Sequence, residues 1–490
     1  MANIFGTLLN DNLLGTVFDD FIFADDGDDT INGGSGNDTL DGWNGNDTIN
    51  GGSGNDFILG FTGNDTMNGG SGNDTLLGEQ DNDVLIGSTG NDTLDGGTGT
   101  DTADYSGLGT AITLESQGVV NKGSAGTDQI ENIEIIKGAI GQANTIDGST
   151  GTGPTSFNVD LSLNSLTVNG IPGLGNVNFT VENFVNVTGT DAGDNIRGNS
   201  QGNVLRGDAG NDFIFGDDGN DTINGGSGND TLDGWNDNDI INGDSGNDLL
   251  LGWFGNDTMN GGSGNDTLRG EQDNDVLIGS TGNDTLDGGI GTDTADYTGL
   301  GTAITLESQG VVNKGFAGTD QLQGVEIIKG AIGQANKIDG STGNGPTSFD
   351  VDLSTNSLTV NGIPGLGNVN FTVENFVNVT GTDAGDSLTG DSQGNILEGG
   401  LGNDTLTGGL GADVFVFNSL LEGIDIIEDF EWREGDKIEI SGSGFGATST
   451  NQFNFDFGTG ALSFLGTQFA QLNNIQLSFD FIPAFDIDIV

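Results

Sequence analysis

The chain contains no cysteine and no histidine, only five prolines among 490 residues, and only 10 lysines and arginines. The first two absences remove disulfides, thiolate chemistry, imidazole catalysis and nearly all zinc sites. The scarcity of basic residues argues against nucleic acid or anionic lipid as a partner, because both need positive surface. With so few prolines, the 92 glycines cannot belong to a collagen helix, which needs glycine at every third position and abundant proline. No apolar run approaches the roughly 18 residues of a membrane helix, so no transmembrane segment is expected. The start, Met1-Ala2-Asn3-Ile4-Phe5-Gly6, lacks the basic region and apolar stretch of a Sec-type signal, so an address for export is expected elsewhere.

What is abundant is acid: 74 aspartates and glutamates give a formal net charge of −64. Low hydrophobicity with high net charge predicts a disordered polymer in pure water, so a cation must enter before the chain becomes compact. Only oxygen ligands remain, and hard cations want oxygen, which favours calcium.

The acids are ordered. An aspartate falls every ninth residue at Asp20, Asp29, Asp38, Asp47, Asp56, Asp65, Asp74, Asp83, Asp92 and Asp101. The comb returns at Asp212, Asp221, Asp230, Asp239, Asp248, Asp257, Asp266, Asp275, Asp284 and Asp293, and briefly at Asp404 and Asp413. Two positions after most teeth sits an aliphatic residue, as in Ile31, Leu40, Ile49, Ile58, Met67, Leu76, Leu85 and Leu94. Each tooth closes a hexad such as Gly33-Gly34-Ser35-Gly36-Asn37-Asp38, so the repeat reads G-G-x-G-x-D-x-U-x. A disordered tail has no need to keep that aliphatic position.

This nonapeptide resembles the calcium-binding repeat of the RTX (repeats-in-toxin) family. The resemblance implies an all-β fold, a parallel β-roll or β-solenoid with calcium between turns. Two repeats, about 18 residues, would make one turn. Ile31, Ile49, Met67 and Leu85 would then line one sheet and Leu40, Ile58, Leu76 and Leu94 the facing one. Aspartates 18 apart, such as Asp38 and Asp56 or Asp47 and Asp65, should share an ion. By the same resemblance the shell is completed by loop carbonyls, such as those of Gly33, Ser35 and Asn37 or, in the second array, Gly225, Ser227 and Asn229. Glycine at the first, second and fourth positions is expected to allow left-handed backbone and close backbone approach, so that carbonyl oxygens can turn toward a shared centre.

Departures from the pattern carry information. Asp81, Asp237 and Asp273 occupy the fourth position, where Asn and Asp are the next-best residues for a left-handed turn, so those loops should still bind. Asn203 and Asn395 replace the aspartate and weaken the sites that open the second and third arrays. Intact loops suggest about fifteen ions, which would lower the net charge to about −34. At millimolar calcium and a Kd near 10⁻⁴ M, each ion contributes about 1.4 kcal/mol. Summed over the arrays this exceeds the ~5–15 kcal/mol stability of a typical domain, so calcium should decide folding.

A longer period overlies the comb: the tract from Tyr105 to Thr190 recurs from Tyr297 to Thr382, an offset of 192. The expected organisation is a first β-roll (1–104), a calcium-poor β segment (105–190), a second roll (191–296), its calcium-poor duplicate (297–382), a short third array (383–417) and a C-terminal cap (418–490). The segments should be further solenoid or sandwich-like β structure, with longer strands at Phe157-Asn158-Val159-Asp160-Leu161 and Val177-Asn178-Phe179-Thr180-Val181. The tail from Gly408 to Phe417, with Asp425–Phe430 and Gly435–Ile440, looks like the closing segment of serralysin-type proteases. The ending Asp486-Ile487-Asp488-Ile489-Val490 resembles an uncleaved type I secretion signal, which implies the type I machinery as a partner during export and a secreted destination, extracellular or cell-surface associated.

No catalysis is expected. A zinc-protease H-E-x-x-H and a Ser-His triad both need histidine, and carboxylates are too common here for a pair to mean much. Trp43, Phe61 and Glu79 lie 18 apart at the second loop position, as do Trp235, Trp253 and Glu271. They make either a small sugar-stacking ladder or side chains folded over their own turns. The leading expectation is a secreted, calcium-folded structural, surface-layer or adhesive protein. The alternatives are a calcium-dependent module binding polysaccharide or other cell-surface glycans, and an RTX-linked polysaccharide-active enzyme.

Overall fold

The structure is a computed structural model describing residues 2–151, 153, 155–343, 347–473 and 481–490. It divides into two compact units, Met1–Leu249 and Leu250–Val490.

In the first unit, period-two alternation sends Ile31 of strand Thr30–Ser35 inward and its neighbours outward. That strand pairs in parallel with Thr48–Ser53, which pairs with Thr66–Ser71, stacking Ile31, Ile49 and Met67 in register. The intervening repeats build the other sheet from Phe21–Phe23, Thr39–Asn44, Phe57–Thr62 and Thr75–Gln80. One turn is therefore two repeats, and both predicted aliphatic rows are fully buried. The core is one residue deep from each side, so each coil depends on the next to cover it.

The strands run longer than the Thr-Ile-Asn triplet suggests. Thr30–Ser35 continues through Gly33-Gly34-Ser35 because loops on one edge also stack in register, with Gly34 opposite Gly52 and Ser35 opposite Ser53. The N–H of Gly36 donates to the carbonyl of Ser53 at 2.8 Å, which extends the ladder around the turn.

The segment 105–190 continues the solenoid rather than forming a sandwich. Thr127–Glu131 pairs in parallel with Thr93–Asp95, Ile135–Lys137 with Thr102–Asp104, and Phe184–Thr188 with Val204–Ala209. Two antiparallel excursions are inserted, Thr113–Glu115 with Val119–Asn121, and Ser156–Asp160 with Ser165–Ile171 and Gly175–Glu182. The predicted alternation is visible in the buried Phe157 and Val159.

The second unit follows the same plan. Thr267–Gln272 pairs with Thr285–Ile290, and Thr258–Asn260 with Val276–Ile278. The duplicate segment repeats both excursions. Beyond the third array the two sheets gain strands Asp425–Ile427 and Lys437–Ile440. Phe417, Phe445, Phe464 and Phe469 then pack edge-on over the end. The terminal strand Ile487–Ile489 pairs in parallel with Lys437–Ile440, so the acidic-apolar ending is part of this cap.

Candidate metal centres

Stacking the loops brings their carboxylates into two ladders. The N–H of Asp38 donates to Asp56 Oδ1 at 2.8 Å, and Asp56 donates to Asp74 in the same way. On the other edge Asp47 donates to Asp65 and Asp65 to Asp83, at 2.7 and 2.8 Å. Aspartates 18 apart stand together. The second oxygen of each carboxylate has a different fate. Oδ2 of Asp29, Asp38, Asp47, Asp56, Asp65, Asp74, Asp83 and Asp101 is buried with no hydrogen-bond donor, as is that of Asp212, Asp221, Asp230, Asp275, Asp293 and Asp404. A buried carboxylate oxygen is costly unless something positive faces it, and a repeated row of them points to a row of cations.

The space beside each Oδ2 is kept by the first glycine of its own hexad. A Cβ on Gly33 would lie 2.5 Å from Asp38 Oδ2 and 2.7 Å from the carbonyl oxygen of Gly51. A Cβ on Gly225 would meet Asp230 Oδ2 and, at 2.9 Å, the Gly243 carbonyl. A carboxylate and a carbonyl from the next loop thus converge on a cradle that any side chain would fill. These first glycines have ordinary φ; only the second and fourth positions, such as Gly34 (φ 103°) and Gly36 (φ 117°), are left-handed. The first position is glycine for close approach, and of the two expected reasons only left-handed backbone is not seen there.

The carbonyls implied by the resemblance are placed as follows. The Gly33 carbonyl projects into the cradle of Gly15, and that of Ser227 accepts from Gly210 N–H at 2.8 Å. Asn37 Oδ1 accepts from Asn55 N–H and Asn229 Oδ1 from Asn247 N–H, a third ladder along the outside of the loops. Among the described residues no cluster of three or more acidic side chains converges. Each of these cradles offers a carboxylate oxygen and a backbone carbonyl of the next loop, a hard-oxygen set suited to calcium.

Whether Oδ2 is open depends on the second loop residue. Where it is left-handed, as at Gly34, Trp43, Phe61 and Glu79, its N–H does not reach the carboxylate. Where it is Thr16, outside that region, the Thr16 N–H and hydroxyl both donate to Asp20 Oδ2 at 2.7 Å. Oδ2 of Asp20, a residue expected among the ligands, is thereby satisfied within its own loop. Thr190 closes Asp194 and Thr382 closes Asp386 similarly, each at 2.6 Å. Asn203 and Asn395 close themselves: their amides donate to the carbonyls of Val185 and Val377 at 2.7 and 2.8 Å. Asp239, Asp248, Asp257, Asp266 and Asp413 are as buried as the other teeth.

The comb also missed members. Asp128 and Asp320 extend the ladder beyond Asp92 and Asp284 across a gap of 36 residues. Glu134 and Glu326 receive the N–H of Asp101 and Asp293, and Asp425 and Asp436 those of Asp404 and Asp413. The signal was present in Asp128-Gln129-Ile130 and Asp425-Ile426-Ile427, which keep the D-x-U triplet without the period of nine.

Burial pushes Asp47, Asp65 and Asp83 up to about 7 and Asp56 and Asp74 to about 6, against the lowering effect of the backbone N–H each accepts. Repulsion adds to this; for Asp47 it comes from Asp65 and Asp29, both 18 away, and from Asp28. At the second loop position, Trp43 stacks on Phe61 with centroids 4.4 Å apart and planes 21° apart, and Phe23 leans on Trp43 at 5.6 Å. These rings cover one another over their own turns, in line with the structural reading of the ladder.

A family profile described as RTX calcium-binding nonapeptide repeat (4 copies) matches residues 5–40, 41–76, 77–106, 188–223, 215–250, 236–268, 260–295 and 380–415, together half of the chain. Among solved structures the chain is similar to the extracellular lipase LipA from Serratia marcescens, at 18% identity and a TM-score of 0.18 over 57% of this chain. It spans 40% of that protein. No curated protein matches. The matched stretches coincide with the carboxylate ladders and their glycine cradles, and the chain belongs to the RTX calcium-binding nonapeptide repeat family.

Proposed function

We propose that this is a secreted protein whose arrays fold when calcium enters the two ladders, and that it serves as an extracellular structural, surface-layer or adhesive component without catalytic activity of its own. The rows of buried, donor-free Oδ2 atoms carry the reading. Without a cation they oppose folding, and with one they hold neighbouring coils together. About fifteen ions would be held at the spacing of the loops. Micromolar cytosolic calcium would leave the arrays unfolded, the state that passage through a type I exporter requires, and millimolar external calcium would fold them. The acidic-apolar ending would act as the export signal before it docks in the cap.

Calcium titration followed by circular dichroism and small-angle scattering tests this. The chain should be expanded without calcium and compact at millimolar calcium; equal compactness in both states would overturn the proposal. Export is tested by removing residues 481–490 and assaying the medium. The glycan-binding alternative draws on the aromatic ladder alone, and calcium-dependent binding to a glycan array that is lost in Trp43→Ala and Trp235→Ala would favour it.

A further inference from the structure

Two lysines stand where the ladder's cations would be. In the first unit, Lys122 is fully buried, and its Nζ lies 3.0 Å from Asp92 Oδ2, 2.5 Å from Asp128 Oδ1 and 2.9 Å from the carbonyl oxygen of Ser88. In the second unit, Lys314 does the same with Asp284 (2.9 Å), Asp320 (2.6 Å) and the Ser280 carbonyl (3.0 Å). The backbone around them is that of the open loops. Ser88 and Ser280 at the second position are left-handed, and the N–H of Asp92 donates to Asp128 Oδ1 as Asp38 does to Asp56. A Cβ on Gly87 would meet Asp92 Oδ2 at 2.7 Å and Asp128 Oδ2 at 2.6 Å, so the glycine cradle is present too. The difference is that Asp92 Oδ2, unlike its counterparts, already faces an ammonium.

We infer that Lys122 and Lys314 are resident cations, each filling a calcium-type cradle and ending its ladder with a bound charge that requires no metal. An ammonium has three N–H donors, and three oxygens surround each one here. Its single charge on a tether replaces a diffusible divalent ion in a site built for hard oxygen ligands. The hairpin excursion supplies it. Thr113–Glu115 and Val119–Asn121 carry the chain out and back, and Lys122 follows in a tight turn where its N–H donates to the Gly126 carbonyl at 2.8 Å. Lys314 holds the same turn through Gly318. The coil that joins each array to its calcium-poor segment is thereby held closed when calcium is absent.

This inference rests on the reading that the open cradles hold calcium, and the test separates the two. The full chain, the double variant Lys122→Ala/Lys314→Ala and the double variant Lys122→Met/Lys314→Met are refolded in millimolar calcium, and bound calcium is counted by calorimetry and by elemental analysis of the desalted protein. The alanine variant vacates the cradle and should bind two more calcium ions than the unsubstituted chain, one per lysine, with unchanged circular dichroism. The methionine variant keeps the bulk without the charge. It should gain no ion and should need more calcium to fold. An alanine variant with the same calcium count as the unsubstituted chain overturns the inference, as does one that fails to fold at saturating calcium. If the unsubstituted chain itself binds no calcium, the calcium reading of the open cradles fails by that measurement alone.

Discussion

The N–H of Asp38 donates to Oδ1 of Asp56 at 2.8 Å, while Oδ2 of Asp56 is buried with no donor. One carboxylate thus ties its coil to the previous one through one oxygen and reserves the other for a cation. Asp56→Asn keeps the first task, since an amide oxygen still accepts, and reverses the second by placing N–H groups toward the cradle. The variant should bind at least one calcium ion fewer and lose about 1.4 kcal/mol per missing ion at millimolar calcium. Its calcium midpoint, read by circular dichroism, should rise. A midpoint equal to that of the unsubstituted chain would remove Asp56 from the ligand set.

The carboxylates also set the pH dependence. Burial holds Asp47, Asp65 and Asp83 at about 7, well above the ~3.9 of a free aspartate. A carboxyl with a raised folded pKa adds stability that is complete below its unfolded value and is lost as pH rises through the folded value. In calcium-depleted buffer the arrays should therefore gain structure as pH falls from 8 toward 4. With calcium the sign inverts, because protons and metal compete for the same oxygens, and affinity should fall between pH 7.5 and 5.5. Circular dichroism without metal and calorimetry with it check the two halves. Tighter calcium binding at pH 5.5 would contradict the account.

Two glycines of one loop should respond differently to the same substitution. Gly51 has ordinary φ, and a Cβ there meets the Gly69 carbonyl at 2.7 Å and Asp56 Oδ2. Gly54 has φ 123°, and a Cβ there strikes the carbonyl of Gly36. Gly51→Ala should raise the calcium needed for folding by more than it weakens the acid-compacted, metal-free state, where only the contact with the Gly69 carbonyl has to be relieved. Gly54→Ala should weaken both states, with a backbone cost of about 1–2 kcal/mol before any clash. Parallel calcium and pH titrations distinguish them, and identical behaviour would mean that the first position is not a cation cradle.

Much of this architecture could be read from the sequence because period nine forces a choice. If Ile31 and Ile49 face one sheet, Leu40 must face the other, and Asp38 can meet Asp56 but not Asp47. The same reasoning fails where spacing changes. Asp128 follows Asp92 by 36 residues because a hairpin excursion lies between them, and only strand pairing shows that they are adjacent. Lys122 is hidden for the same reason, although its recurrence as Lys314 among so few basic residues was a visible signal. The closure of Asp20 by Thr16 depends on the sign of one φ angle, which composition does not disclose. At the first glycine the sequence supports both left-handed backbone and close approach, and only the φ angle decides for close approach.

The aromatic ladder sets a stacking gain against a backbone cost. Trp43 sits at φ 73° and Phe61 at φ 83°, where a residue other than glycine pays about 1–2 kcal/mol. Their rings lie 4.4 Å apart and nearly parallel, an arrangement worth about 0.5–1.5 kcal/mol beyond the area buried. The two terms are of similar size, but replacing Trp43 by glycine also loses the area the indole buries against Phe61 and Phe23, so Trp43→Gly should be less stable than the unsubstituted chain. Alanine removes the stack but keeps the left-handed strain. Trp43→Ala should therefore be less stable than Trp43→Gly by about 1 kcal/mol, the reverse of the order at an ordinary strand position, where glycine is the weaker residue. Urea unfolding in millimolar calcium measures the difference. If alanine proves as stable as glycine, the left-handed turn carries no strain, and the stack rather than the backbone would decide which residues the second loop position accepts.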